Sequence, residues 1–211
     1  MKFKKRLKYA FEIENHSDIS LEGMITHRDK KYDDSMEYFH LAAAMGNAQA
    51  MADLGMCYFH GRGCKKNYDL AFSYSQLAAK KMNIDGLYYL SLMYEHGHGT
   101  DKDAEAADYY LGTAFEMTSS LGDRAAYEYP YLFYSIAKKL IKIGTEDCLQ
   151  TAYNALLDAR DGYADDIEGG ATYFKENLAE VEALLKKSIF DPFRDDEFED
   201  WDDEDDEGLL S

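Results

Sequence analysis

One ten-residue segment of the chain recurs at a fixed step. Residues 54–63 read LGMCYFHGRG and residues 90–99 read LSLMYEHGHG. Leu54, Tyr58, His60, Gly61 and Gly63 return as Leu90, Tyr94, His96, Gly97 and Gly99, always 36 positions later. A period of this length means stacked supersecondary units rather than one globular core, because a two-helix unit cannot shelter its own apolar side. Such stacks build long surfaces, and long surfaces suit binding.

The echo extends upstream. Tyr38, Leu41 and Ala42 return as Tyr74, Leu77 and Ala78, and Tyr74 and Ala78 return again as Tyr110 and Ala114. Ser35, Ala71 and Ala107 keep one position small. Within 68–80, Ala71, Tyr74, Leu77 and Ala78 step by three and four, which is one face of a helix; Met51, Leu54, Gly55 and Tyr58 do the same within 48–60. Gly46-Asn47 is a left-handed stop for the first helix of a unit. Gly61-Arg62-Gly63 ends the second, where two glycines permit a turn that other residues resist. The residues that define the repeat are Tyr38, Ala42, Leu54, Gly55, Tyr58, Gly61 and Gly63 in one unit, and Tyr74, Ala78, Leu90, Tyr94, Gly97 and Gly99 in the next.

The expected fold is all-α, a right-handed α-α superhelix in which antiparallel helix pairs form a solenoid. An N-terminal arm and capping half-repeat occupy 1–30. Repeats follow over 31–66, 67–102 and 103–144, the last with only its first half clear. A drifted repeat and a capping helix take 145–190, and 191–211 form an acidic tail expected to be disordered. In the later part a helix over 121–143 starts or bends near Pro130, because proline is tolerated only in a first turn. Further helices are expected over 146–160 and 171–188.

The series Ser35, Tyr38-Phe39, Ala42-Ala43, Gly46, Ala50, Leu54-Gly55, Tyr58 and Gly61-x-Gly63 resembles the Sel1-like repeat family, a relative of the tetratricopeptide repeat. The second unit repeats it as Ala71, Tyr74, Ala78-Ala79, Gly86, Leu90, Tyr94 and Gly97-x-Gly99. It departs at Ser91, which replaces a glycine, and at Lys81-Met82, where the first-helix stop is missing. The likeness covers residues 30–118. It implies an α-solenoid adaptor without enzymatic activity that binds another protein on a concave surface. By analogy with related helical repeats the first helices line that surface, and Glu37, His40, Ser73, Gln76, Asp108 and Tyr109 are the expected contacts. A solenoid fold does not itself identify the cargo.

Charge narrows the partner further. The net charge of −18 argues against nucleic acid as the ligand, since phosphate binding needs basic side chains. The last 21 residues hold 12 acidic groups and one basic group, Arg194, and so carry −11 of the total. Phe193, Phe198 and Trp201 interleave with those acids, a pattern suited to docking on a basic partner surface. Residues 2–8 form a small basic cluster with Phe3 and Leu7 between the charges. No apolar stretch reaches the roughly 18 residues that a transmembrane helix needs. Three cysteines, Cys57, Cys64 and Cys148, cannot all pair internally, so a reduced, cytoplasmic setting is expected.

No catalytic constellation emerges: there is no Walker loop, no GxSxG and no HExxH. No cofactor and no metal are expected. His96-Gly97-His98 is the one metal-like fragment, and His96 is the repeat copy of His60 at a helix end, where a histidine suits the dipole. Two alternatives to the scaffold reading are an acidic inhibitor or antitoxin-like protein masking a basic site, and a metal-assisted hydrolase using His96 and His98.

Overall fold

The structure is a computed structural model that describes residues 16–122, 124–171 and 174–194. All regular structure among these residues is helical. The chain divides into two compact units, one ending at Ala125 and one beginning at Ala126.

In the first unit α1 (His16–Arg28) precedes α2 (Tyr32–Ala44), α3 (Ala48–His60), α4 (Tyr68–Ala79), α5 (Ile84–His96) and α6 (Ala104–Thr118), with a 3-10 turn over Ser119–Leu121. Each helix packs on the next in sequence, and the second helices α3 and α5 also touch each other. This is the antiparallel helix-pair solenoid that the 36-residue period requires.

The caps recur with the repeat. Asn47 accepts the backbone N–H of Ala50 at 2.8 Å and opens α3, and Asn83 accepts that of Gly86 at 2.9 Å and opens α5. Asn67 and Asp103 do the same for α4 and α6. Each satisfies an N–H group that a helix leaves orphaned at its first turn. Gly61 and Gly97 close α3 and α5 at φ 75° and 72°. The second glycine of each turn has a further reason to be glycine. A Cβ on Gly63 would press into the Tyr32 carbonyl, and one on Gly99 into that of Tyr68, 2.7 Å from its carbon.

Small residues bring the helix axes together. An added Cβ at Gly55 would lie 2.6 Å from Ser75 Oγ, and one at Gly86 would lie 2.5 Å from Ala78 Cβ. Tyr38, Phe39, Ala42, Leu54, Ala71, Ala78, Leu90, Ala107, Leu111 and Ala114 are buried. Leu77 is not: it points outward from α4, so the expected apolar stripe there is narrower by one residue. The stop expected to be missing at Lys81-Met82 is present. Met82 itself adopts φ 56°, the left-handed geometry that Gly46 takes one repeat earlier at φ 92°. Ser91, where the family pattern has glycine, is buried.

A short helix, α7 (Arg124–Glu128), spans the division between units. The second unit continues with α8 (Pro130–Ile143), α9 (Glu146–Glu168), α10 (Lys175–Leu185) and a 3-10 segment, Ser188–Phe193. Pro130 sits at the first position of α8, where its missing N–H costs nothing. Thr145 caps α9, which packs on both α8 and α10. α9 runs eight residues past the expected end at 160, and α10 is shorter than the expected 171–188. Within that extension the bare Cα of Gly162 lets the chain near Pro130 approach, where a Cβ would lie 2.9 Å from Pro130 Cβ.

The described residues also pass the expected start of the acidic tail, with the 3-10 segment running to Phe193. Phe190 is fully buried, with its ring 5.6 Å from that of Tyr153. Arg194 donates to the carbonyls of Leu185 and Lys187 at 2.7 and 3.1 Å and pairs with Asp191 at 2.7 Å. A guanidinium on the last carbonyls of a helix suits both its unpaired acceptors and its dipole. The rest of the tail, with Phe198 and Trp201, and the basic cluster at 2–8 lie outside the described residues.

Candidate protein-binding face

The face carried by α2, α4 and α6 has a repeating construction. Glu37, Ser73 and Tyr109 occupy one position of three successive first helices, and His40 and Gln76 occupy the position one turn on. Glu37, His40, Ser73, Asp108 and Tyr109 are exposed, and Gln76 is half-buried. Tyr109 is the most exposed of the large hydrophobic side chains among the described residues, at 66%, and its ring meets that of Tyr110 at 5.3 Å.

Stacked tyrosine pairs lie beside these residues. Tyr58 from α3 and Tyr74 from α4 are parallel to within 4°, with centroids 5.7 Å apart. One repeat later Tyr94 and Tyr110 stack in the same way, at 6° and 5.6 Å. His40 stands edge-on to both rings of the first pair and hydrogen-bonds both phenols, Nε2 with Tyr58 at 3.3 Å and Nδ1 with Tyr74 at 3.4 Å. Partial burial lowers the pKa of His40 from its ordinary value. A neutral imidazole fits the site, donating to one phenol and accepting from the other. Burial also raises the Tyr58 and Tyr94 hydroxyls, with the stacked partner as the next cause. At the second pair Phe72 takes the edge-on role against Tyr94, at 5.5 Å.

The four tyrosines are thus more than spacers. Their positions mark them as repeat-defining core residues, yet all four remain half-buried and present ring edges and hydroxyls beside the exposed positions. Nothing in the one-dimensional pattern separates a half-buried tyrosine from a buried one.

A second polar constellation bridges α3 and α5 and has no counterpart in the sequence reading. Gln49 accepts from Asn83 Nδ2 at 2.9 Å and donates to Asp85 at 2.7 Å and Asp53 at 3.3 Å. Asp53 Oδ2 is buried without a partner. Burial raises the Asp53 pKa to about 8, with the Asp85 charge adding to it and the Gln49 hydrogen bond opposing it. The only sequence signal was an acidic residue between Met51 and Leu54 on a helix whose other inward positions are apolar.

The HxH fragment belongs to an aromatic cluster. His98 lies flat on Tyr68, with centroids 4.1 Å apart and planes within 1°, and Phe59 meets both rings edge-on. His60 reaches the Tyr89 hydroxyl at 3.3 Å, and burial pushes its pKa down to about 4. Among the described residues no three His, Cys, Asp or Glu side chains are grouped as metal ligands. Phe193 of the tail packs against Tyr153 at 6.4 Å.

Comparison with known proteins agrees with this architecture. The Sel1 repeat profile matches residues 23–47, 48–81 and 84–118. The second and third matched blocks each join a second helix to the first helix that follows, half a unit out of phase with 31–66 and 67–102. Among solved structures, a Sel1 repeat protein from Oxalobacter formigenes is 25% identical, with 69% of this chain and 58% of that one covered and a TM-score of 0.48. A protective antigen of uropathogenic Escherichia coli strains, which displays the same repeat fold, is 17% identical, with 86% of this chain and 44% of that one covered and a TM-score of 0.50. The chain spans about half the length of these two structures. No curated protein matches it.

Proposed function

We propose that the first unit is a non-enzymatic scaffold that binds another protein across its first-helix face. Sel1 repeats generally serve protein–protein interaction. The observation that carries the reading is the stepped tyrosine pairs, Tyr58–Tyr74 and Tyr94–Tyr110, flanked by exposed Glu37, His40, Ser73, Asp108 and Tyr109 and by Gln76. Half-buried tyrosines give large, rigid contact area at little entropic cost and keep a polar tip for hydrogen bonding. Their repetition offers the same contact twice, which suits an elongated partner segment. The aromatic-acidic tail from Phe193 through Phe198 and Trp201 adds a second contact for a partner with a basic surface.

Among the described residues no helix is long and apolar enough to cross a membrane. Cys57, Cys64 and Cys148 are all free thiols, which supports placing the protein in the reducing cytoplasm.

Site-specific photo-crosslinking in the full chain tests the binding face. A crosslinker at position 37, 73 or 109 should capture one and the same partner, and one at Asp161 in the second unit should not. Tyr109→Ser together with His40→Ala should abolish capture from position 73. Equal capture from Asp161, or unchanged capture by the double variant, removes the reading.

A further inference from the structure

We infer, resting on the binding face proposed above, that this face takes an extended basic segment of a partner protein, with lysine or arginine side chains on its acidic strips and apolar side chains between them. The charge of the face is one-sided. α2, α4 and α6 together hold seven acidic residues and no lysine or arginine. The cations between residues 32 and 118, at Arg62, Lys65, Lys66, Lys80, Lys81 and Lys102, all stand in the connections between helices. Asp33, Asp69 and Glu105 share one repeat position in the first turn, where the helix dipole favours an acid. Glu37 and Asp108 lie further along, and Glu116 sits in the last turn, where the dipole disfavours an acid. Asp33, Glu37, Asp69, Glu105 and Glu116 form no ion pair with any described residue. By contrast α3 and α5 carry three acids, and two of them, Asp53 and Asp85, are held in the Gln49 bridge.

The strips differ from helix to helix. On α4 Leu70, Ser73 and Leu77 step by three and four, and the two leucines are 39% and 45% exposed. Exposed Glu37 on α2 and Asp108 on α6 belong to the first helices before and after it. His40 reaches from α2 to Tyr58 and to Tyr74 of α4, so the first tyrosine stack ties α2 to α4. Tyr94 and Tyr110 stack one repeat on, and Phe72 of α4 meets Tyr94, which ties α4 to α6. The order acid, aromatic, apolar, aromatic, acid therefore runs across the helices and not along any one of them. An extended chain advances about 3.3 Å per residue against about 1.5 Å for a helix, so it crosses several strips with few residues. Its aliphatic side chains leave water against Leu70 and Leu77, and its cations meet carboxylates that have tyrosine rings beside them.

The same charge selects this occupant over the others. Nucleic acid, an anionic lipid surface and an acidic peptide would each meet carboxylates with no cation among them. A second copy would set acidic strip against acidic strip, in chains that each carry −18.

Fluorescence anisotropy of the full chain with three labelled peptides tests the occupant: repeats of Arg-Leu-Ser, the same repeats with glutamate for arginine, and the same repeats with serine for leucine. The Arg-Leu-Ser peptide should bind most tightly. Glu37→Lys together with Glu116→Lys should weaken its binding about tenfold, and Leu77→Ser about threefold. All three positions are exposed, and circular dichroism checks that the helices persist. Glu168→Lys together with Glu182→Lys changes the net charge equally at exposed positions of the second unit and should alter binding by less than about twofold, since salt screens charges outside the contact. An equal loss in that second-unit variant overturns the proposal, because net charge alone then draws the peptide. So does a glutamate or serine-for-leucine peptide that binds as tightly as the first. So does a dimer in light scattering that Leu77→Ser breaks up, which makes a second copy the occupant. Failure of the Arg-Leu-Ser peptide to bind also overturns it and leaves the scaffold reading standing, because the photo-crosslinking test asks for one partner at positions 37, 73 and 109 whatever its charge.

Discussion

Asp53→Asn isolates the effect of one buried carboxyl on the α3–α5 contact. In the folded chain Asp53 titrates at about 8 rather than the ordinary 3.8, because burial and the Asp85 charge both disfavour its ionised form. In the unfolded chain that carboxyl ionises at its ordinary pKa. The folded state therefore holds a proton that the unfolded state loses, and stability falls as pH rises. The contribution is complete below pH 4 and is gone once pH passes about 8. Each pH unit in that window changes stability by about 1.4 kcal/mol, so ionisation weakens the fold by up to about 4 kcal/mol between pH 4 and pH 7. Asparagine keeps an acceptor for the Gln49 amide and carries no charge at any pH. It leaves one buried polar atom as poorly matched as Asp53 Oδ2 is now, and that penalty is common to both chains. The variant should match the parent near pH 4 and exceed it by about 2–4 kcal/mol at pH 7. Urea unfolding followed by far-ultraviolet circular dichroism across pH 4.5–8.5 measures the difference, and subtracting the two chains cancels every other titrating group. A difference that stays flat with pH refutes the assignment of a proton to Asp53.

The glycines of the repeat separate backbone strain from steric exclusion. Gly46→Ala faces only its φ of 92°, with nothing within 4 Å of the new Cβ, and should cost about 1 kcal/mol. Gly99→Ala adds a collision with the Tyr68 backbone at φ 71° and should cost about 2–4 kcal/mol in the same unfolding assay; equal losses at the two sites would contradict the packing described. Met82→Gly relieves a left-handed methionine and should stabilise by up to about 1 kcal/mol, part of the gain being offset by the freer unfolded chain. Phe190→Ala empties a fully buried site against Tyr153 and should destabilise the second unit by about 3–5 kcal/mol, read as faster amide exchange in α9 and α10 while α3 and α4 stay protected.

The 36-residue period and the spacing of Tyr, Ala and Gly sufficed to determine an all-helical solenoid, its helix starts and stops, and the turn glycines. Those properties are local or nearest-neighbour: a cap, a left-handed turn or an apolar stripe depends on residues a few positions apart. The common position of Glu37, Ser73 and Tyr109 on successive first helices was legible for the same reason, since they inherit it from the repeat. What lies outside that logic was decided by packing between elements. Met82 takes the left-handed turn after α4 that Gly46 takes after α2. α9 extends to Glu168, with Gly162 making room for the chain near Pro130. Phe190 and Arg194 pin the first residues of a segment whose charge alone suggests disorder. The Gln49–Asp53–Asp85–Asn83 bridge joins side chains up to 36 positions apart that meet only once α3 and α5 lie side by side. Burial and the direction of a side chain are properties of neighbours in space, and one sequence read along its length reports only neighbours in the chain.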